Sequence, residues 1–148
     1  MDNTNYEIEI SSSHLIYEFL SSGPKGQIKK QVVFKPTKAN PNIYNLGFGD
    51  VRIDGKIDDK VITNNKDSRT VLTTVALTLF KFFEKYPDAY VFAIGSTKSR
   101  TRLYQIGISN NLGKANLDFE IYGSKNKAWE LFRKGVSYDA FLVKRKNT

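Results

Sequence analysis

Apolar and polar residues alternate through the first third of the chain. Leu15, Tyr17 and Phe19 share one face of an extended run, so Leu15–Leu20 predicts a strand. Ser21–Gly26 follows as turn chemistry, with glycine for unusual dihedrals and proline to pre-set one. Gln27–Lys35, ending in Val32, Val33 and Phe34, completes a hairpin, and Pro36 and Pro41 mark a connecting loop. Ile43–Ile53 predicts a third strand, and Asp54-Gly55 a tight turn into Lys56–Ile62. Gly47 and Gly49 inside that strand point to a bulge or a close backbone approach.

The spacing then changes to fours. Val71, Val75, Leu79 and Phe83, joined by Leu72, Ala76, Phe80 and Tyr86, predict an amphipathic helix. Asp67 at the N-cap and Pro87 at the end bound it at about 19 residues. Each large side chain it buries contributes roughly 1.5–3 kcal/mol as an upper figure. Thr73, Thr74 and Thr78 lower its intrinsic propensity, so tertiary packing must carry it. Ala89–Ile94, apolar on both faces, predicts a central strand. Gly95-Ser96-Thr97 then opens a helix of about ten residues holding Leu103 and Ile106, ended by Asn110, Asn111 and Gly113. Leu117–Tyr122 and Tyr138–Lys144 read as strands, and Ala128–Phe132 fits either element. The expected fold is α+β: a twisted, mostly antiparallel sheet of about six or seven strands packed on one long amphipathic helix, plus a short second helix. It forms one domain over 1–148, with loose ends at 1–13 and 146–148.

Composition narrows the chemistry. At 148 residues, 40 % hydrophobic and 26 % charged, the chain is globular and long enough to bury a core without staples. It has no cysteine, which removes disulfides, thiolate zinc sites and cysteine nucleophiles. His14 is the only histidine, and it sits beside Ser11–Ser13 at a strand start, where exposure is expected. Any Ser-His-Asp arrangement would have to run through it alone. Asp50, Asp54, Asp58 and Asp59 cluster near the Asp54-Gly55 turn, but their spacing departs from the calcium-loop pattern. A solvated hairpin tip is expected there, with no metal and no cofactor. Asp2, Glu7, Glu9 and Glu18 replace the basic start of a secretory signal, and no apolar run approaches the ~20 residues of a membrane helix. The cytoplasm is the expected location, without a membrane partner.

Charge points to one segment. The net +8 is uneven: residues 1–74 hold 10 Lys/Arg against 9 Asp/Glu, and residues 75–148 hold 13 against 6. A positive C-terminal half attracts polyanions, although solubility alone also accounts for it. Within it, Ser96, Thr97, Lys98, Arg100, Arg102 and Tyr104 gather where the short helix opens. Unpaired N–H groups, the helix dipole, hydroxyl donors and full positive charges converge there, as phosphate or carboxylate binding requires. The segment lacks the dinucleotide glycines and the P-loop Gly-Lys-Ser/Thr. The structural alternative is a helix capped by Ser96 or Thr97 with exposed arginines. Cations at a helix start oppose its dipole by ~0.3–1 kcal/mol each, which favours a use for them. Tyr104, Tyr122, Trp129 and Phe132 fit either base stacking beside these cations or the core.

Several strings carry a family likeness: Tyr44-Asn45-Leu46-Gly47-Phe48-Gly49-Asp50, Asn64-Asn65, Val71–Ala76, Tyr86-Pro87-Asp88-Ala89 and Gly-Ser-Thr-x-x-Arg-Thr-Arg-Leu-Tyr at 95–104. Over residues 15–145 the chain resembles a domain-of-unknown-function family of small proteins, mostly from Bacteroidota. That resemblance implies no activity; it marks 95–104 as the segment to inspect. The first functional reading is a non-catalytic module that binds a polyanion, foremost nucleic acid. The alternatives are an enzyme whose Arg100 and Arg102 clamp a phosphorylated or nucleotide substrate, and a protein-interaction component of a toxin–antitoxin or defence pair. No catalytic residue is assigned by the sequence.

Overall fold

A computed structural model describes residues 5–58, 64–95, 97–112 and 118–146. The chain runs β1 (Glu9–Ile10), β2 (Ile16–Gly23), β3 (Gly26–Pro36), β4 (Ile43–Val51), β5 (Ile57–Asp58), α1 (Ser68–Lys85) and β6 (Tyr90–Ala93). It continues through α2 (Lys98–Gly107), a π-helical turn (Ile108–Leu112), β7 (Phe119–Lys125), β8 (Ala128–Leu131) and β9 (Ala140–Arg145). The strands form one open nine-stranded sheet in the order β1-β2-β3-β4-β6-β9-β7-β8, with β5 also paired to β4. Only β4 and β6 pair in parallel; the other neighbours are antiparallel. The fold is therefore α+β, with more strands than alternation predicts. The extra ones are short: β1 has two residues and β8, from the segment that fitted either element, has four. So short a stretch carries no readable period.

Several boundaries differ from the sequence reading. Pairing of β2 with β3 continues to Gly23 opposite Gly26, so the turn shrinks to Pro24-Lys25. The strand expected over Lys56–Ile62 is β5 as far as Asp58, and its remainder lies outside the described residues. The ambiguous Ala128–Phe132 segment is the edge strand β8. Within the segment 1–13, expected to be loose, Tyr6 and β1 make contacts: β1 pairs with β2, the Tyr6 ring stacks on Phe19, and the Tyr6 amide donates to Thr74 Oγ1.

Strand alternation sends Tyr17, Phe19, Val32, Phe34, Leu46, Phe48, Val91, Ile121, Phe141 and Val143 to the face that packs on α1. Val71, Val75, Leu79 and Phe83 of α1 are buried, and so are Thr74, Thr78 and Phe82. The buried threonines satisfy their hydroxyls by donating back to Thr70 O and Val75 O. Phe82 centres the core, stacked on Phe34 at 4.3 Å and edge-on to Tyr44 and Phe83. Asp67 precedes α1 without capping it; its carboxylate accepts instead from Tyr6 and Ser21. Among the described residues no second layer covers the opposite face, and β6, expected to be buried on both sides, leaves Tyr90 and Phe92 half-buried.

Polar groups also enter the core. Lys30 shares the inward parity of Val32 and Phe34; its ammonium is buried and pairs with Asp50 at 2.5 Å beside the Phe48 ring. Asp50 therefore belongs to the interior and not to a solvated tip. Asp54 does sit exposed at the turn with Arg52, and Asp59 lies outside the described residues. Replacing Phe82 with alanine should lower stability by about 3–5 kcal/mol, the usual cost of emptying a buried aromatic site. A shifted urea midpoint with an unchanged slope checks it.

Candidate functional site

The site begins with a gap in the sheet. One edge of β4 pairs with β6 over Ile43–Asn45 and with β5 over Asp50–Val51, leaving a break between them. Arg100 reaches from α2 into that break. Its guanidinium donates to Phe48 O at 2.9 Å and to Asp58 O at 3.2 Å, and the residue is only 5 % exposed. A planar fork of donors suits two carbonyls that face this break.

The corner before α2 is equally constrained. Gly95 lies against the first turn, where a methyl group would overlap Thr101 N and the Arg100 backbone. Its amide donates to Thr101 Oγ1 at 3.0 Å, and that hydroxyl donates to Thr97 O. Thr97 is the N-cap, its Oγ1 accepting from Arg100 N at 3.2 Å. Two residues span roughly 200° of helix, so anchoring Arg100 inward turns Lys98 and Arg102 outward. Both are exposed, and neither forms an ion pair among the described residues.

A cleft of about 590 Å³ opens beside them. Thr97, Lys98, Ser99, Thr101, Arg102 and Gln105 form its helical wall, Ile94 and Gly95 its base, and Ser137, Tyr138 and Asp139 the facing wall. Gln105 ties the walls together: its amide nitrogen donates to Val136 O, and its amide oxygen accepts from Tyr138 N at 3.2 Å. The Tyr138 ring lies in the space above Gly123, where any Cβ would overlap it. Its hydroxyl donates to Glu130 at 2.7 Å and accepts from Arg133 N. Burial, then the Glu130 bond, raises the Tyr138 hydroxyl above its ordinary pKa. Glu130 is held below the usual carboxylate range by that same bond and by Arg133. Tyr138 is thus a fixed wall group.

The expected site residues separate. Thr97, Lys98 and Arg102 meet at the cleft, whereas Arg100 is withdrawn from it and Tyr104 is buried in the core. Ser96 lies outside the described residues. Of the other aromatics, Phe132 packs against the core, while Tyr122 and Trp129 stand on the uncovered face. Gln105, Ser137 and Asp139 escaped the sequence reading, because only the fold brings residues some thirty apart into contact. Among the described residues no three His, Asp or Glu side chains gather closely enough to hold a metal ion, and no helix is long and apolar enough to cross a membrane.

An open, mostly antiparallel α+β sheet with a polar cleft at the start of its second helix defines the class of module. The chain belongs to DUF6934, a family of unknown function, with the match spanning residues 2–146. No curated protein and no solved structure matches it.

The two arginines should respond in opposite ways to substitution. Arg100→Gln should cost roughly 2–3 kcal/mol, since it removes charged hydrogen bonds to buried carbonyls. Arg102→Gln should stay within about 0.5 kcal/mol, as an exposed site does. Urea denaturation of both variants checks the contrast.

Proposed function

We propose that the protein binds a phosphate-bearing polyanion, foremost nucleic acid, in the cleft at the start of α2, without transforming it. The observation that carries this reading is the placement of Lys98 and Arg102, exposed and without an ion-pair partner among the described residues, on the wall of a concave surface. The helix start adds N–H donors outside the intrahelical ladder and the positive end of the dipole. Thr97 and Ser99 add hydroxyls. A volume of about 590 Å³ lies within the range of small-ligand sites. Across the cleft, Asp139 and Ser137 offer acceptors for hydroxyl or amino groups, which suits a nucleotide better than a bare inorganic chain. The +7 balance of residues 75–148 supplies long-range attraction.

Concavity also suits an enzyme acting on a nucleotide substrate. Binding without chemistry ranks first because the cleft's tyrosine hydroxyl is committed to Glu130 and Arg133 N, leaving Asp139 as the carboxylate among the lining residues. The test is the salt dependence of affinity for a labelled single-stranded oligonucleotide. Each phosphate contact contributes about −0.7 to the slope of log K against log salt, so Lys98→Gln with Arg102→Gln should flatten it by about 1.4. Both variants should keep their stability. A slope of zero for the unaltered protein overturns the reading.

A further inference from the structure

The sheet face opposite α1 carries an aromatic patch. Phe92 pairs with Leu142, Leu142 with Tyr122, and Tyr122 with Leu131, so these four side chains stand in one row across β6, β9, β7 and β8. The next row is Ala140, Ser124 and Trp129, with Ile94 just past the end of β6. Its small members leave room for the Trp129 ring to lean toward Phe92, 6.1 Å away and nearly edge-on. The Tyr122 hydroxyl donates to Glu120 at 2.8 Å, which fixes that ring. Trp129 remains 47 % exposed and Ile94 51 %. The patch is therefore open.

Its position relative to charge identifies what it suits. Ile94 belongs both to this face and to the cleft beside α2. The turn between β7 and β8 presents exposed Lys125 and Lys127 at the same end of the sheet as the start of α2. Both pairs of cations thus stand at the end of the sheet where Trp129 and Ile94 lie. We infer that this face is a base-stacking platform for single-stranded nucleic acid, whose phosphates are held by Lys98 and Arg102 in the cleft and by Lys125 and Lys127 at the turn. The inference rests on the anion-binding reading of the cleft and extends it to a ligand class: an unpaired strand, since only unstacked bases can lie on protein rings. A second copy of the chain fits less well, because a two-fold interface over this face would set one basic border against another.

Trp129 is the single tryptophan of the chain, so its emission reports this face alone. The full-length protein is titrated with a short single-stranded oligonucleotide and, separately, with inorganic polyphosphate, and affinities are read by anisotropy and competition. The oligonucleotide should quench Trp129, and polyphosphate should bind without quenching. Trp129→Leu, with Tyr122→Leu as a second variant, should weaken oligonucleotide binding roughly tenfold and leave polyphosphate binding unchanged. Circular dichroism confirms that each variant folds. No quenching, with oligonucleotide affinity intact in both variants, overturns the platform while the cleft reading stands. Oligonucleotide binding that needs Trp129 but survives Lys98→Gln with Arg102→Gln overturns the cleft reading and, with it, the inference as stated, leaving stacking without the cleft's cations. A dimer that dissociates on Trp129→Leu, with oligonucleotide affinity unchanged, assigns the face to a second copy and overturns the inference.

Discussion

A sheet strand leaves half its carbonyls and amides pointing along each edge, and each must find a partner when it is buried. In β4 that demand is met from two directions, by β6 at its start and by β5 at its end, with a break between. Arg100 fills the break, and its two bonds to Phe48 O and Asp58 O fix α2 against the sheet. Much else follows from that contact. The helix can be held so closely only because Gly95 has no side chain. Once Arg100 points inward, helical geometry directs Lys98 and Arg102 to the outside, and the cleft forms between them and the connection leading into β9. A structural arginine thus positions a lysine and an arginine that remain available to a ligand.

The molecule divides by face. Toward α1 the sheet is aromatic and buried, centred on Phe82, with charge admitted where it is paired, as in Lys30 and Asp50. Away from α1 it carries no second layer among the described residues, and there the Tyr90 ring sits beside Lys144. The cleft lies where the two regions meet, at the end of β6. A ligand with both negative charge and flat apolar surface matches that junction better than one with either property alone.

How much of this the sequence discloses depends on how local each cause is. The strands β2, β3, β4 and β9 are legible because alternation over six or more residues has a period to read. The two-residue β1 has none, whereas β5 is announced by the Asp54-Gly55 turn before it. The start of α2 is legible as a place where hydroxyls and cations cluster between a strand and a helix. The assignment of roles within it was not, because Arg100 and Arg102 are chemically alike and only a distant break in β4 distinguishes them. Lys30 carried a usable signal: it falls on the same strand parity as Val32 and Phe34, so a lysine had to face inward. Gln105 and Asp139 carried no such signal, because their contacts cross some thirty residues of chain.

The central claim is that the start of α2 receives an anion while Arg100 beside it stays committed to the sheet. Titration of isotopically labelled protein with a single-stranded oligonucleotide, followed residue by residue in amide NMR spectra, tests both halves at once. The account predicts shifts concentrated at Thr97–Arg102 and Ser137–Asp139, with the Arg100 guanidinium resonance unmoved. Shifts confined to other surfaces, or an Arg100 side chain that leaves Phe48 O to meet the ligand, would contradict it.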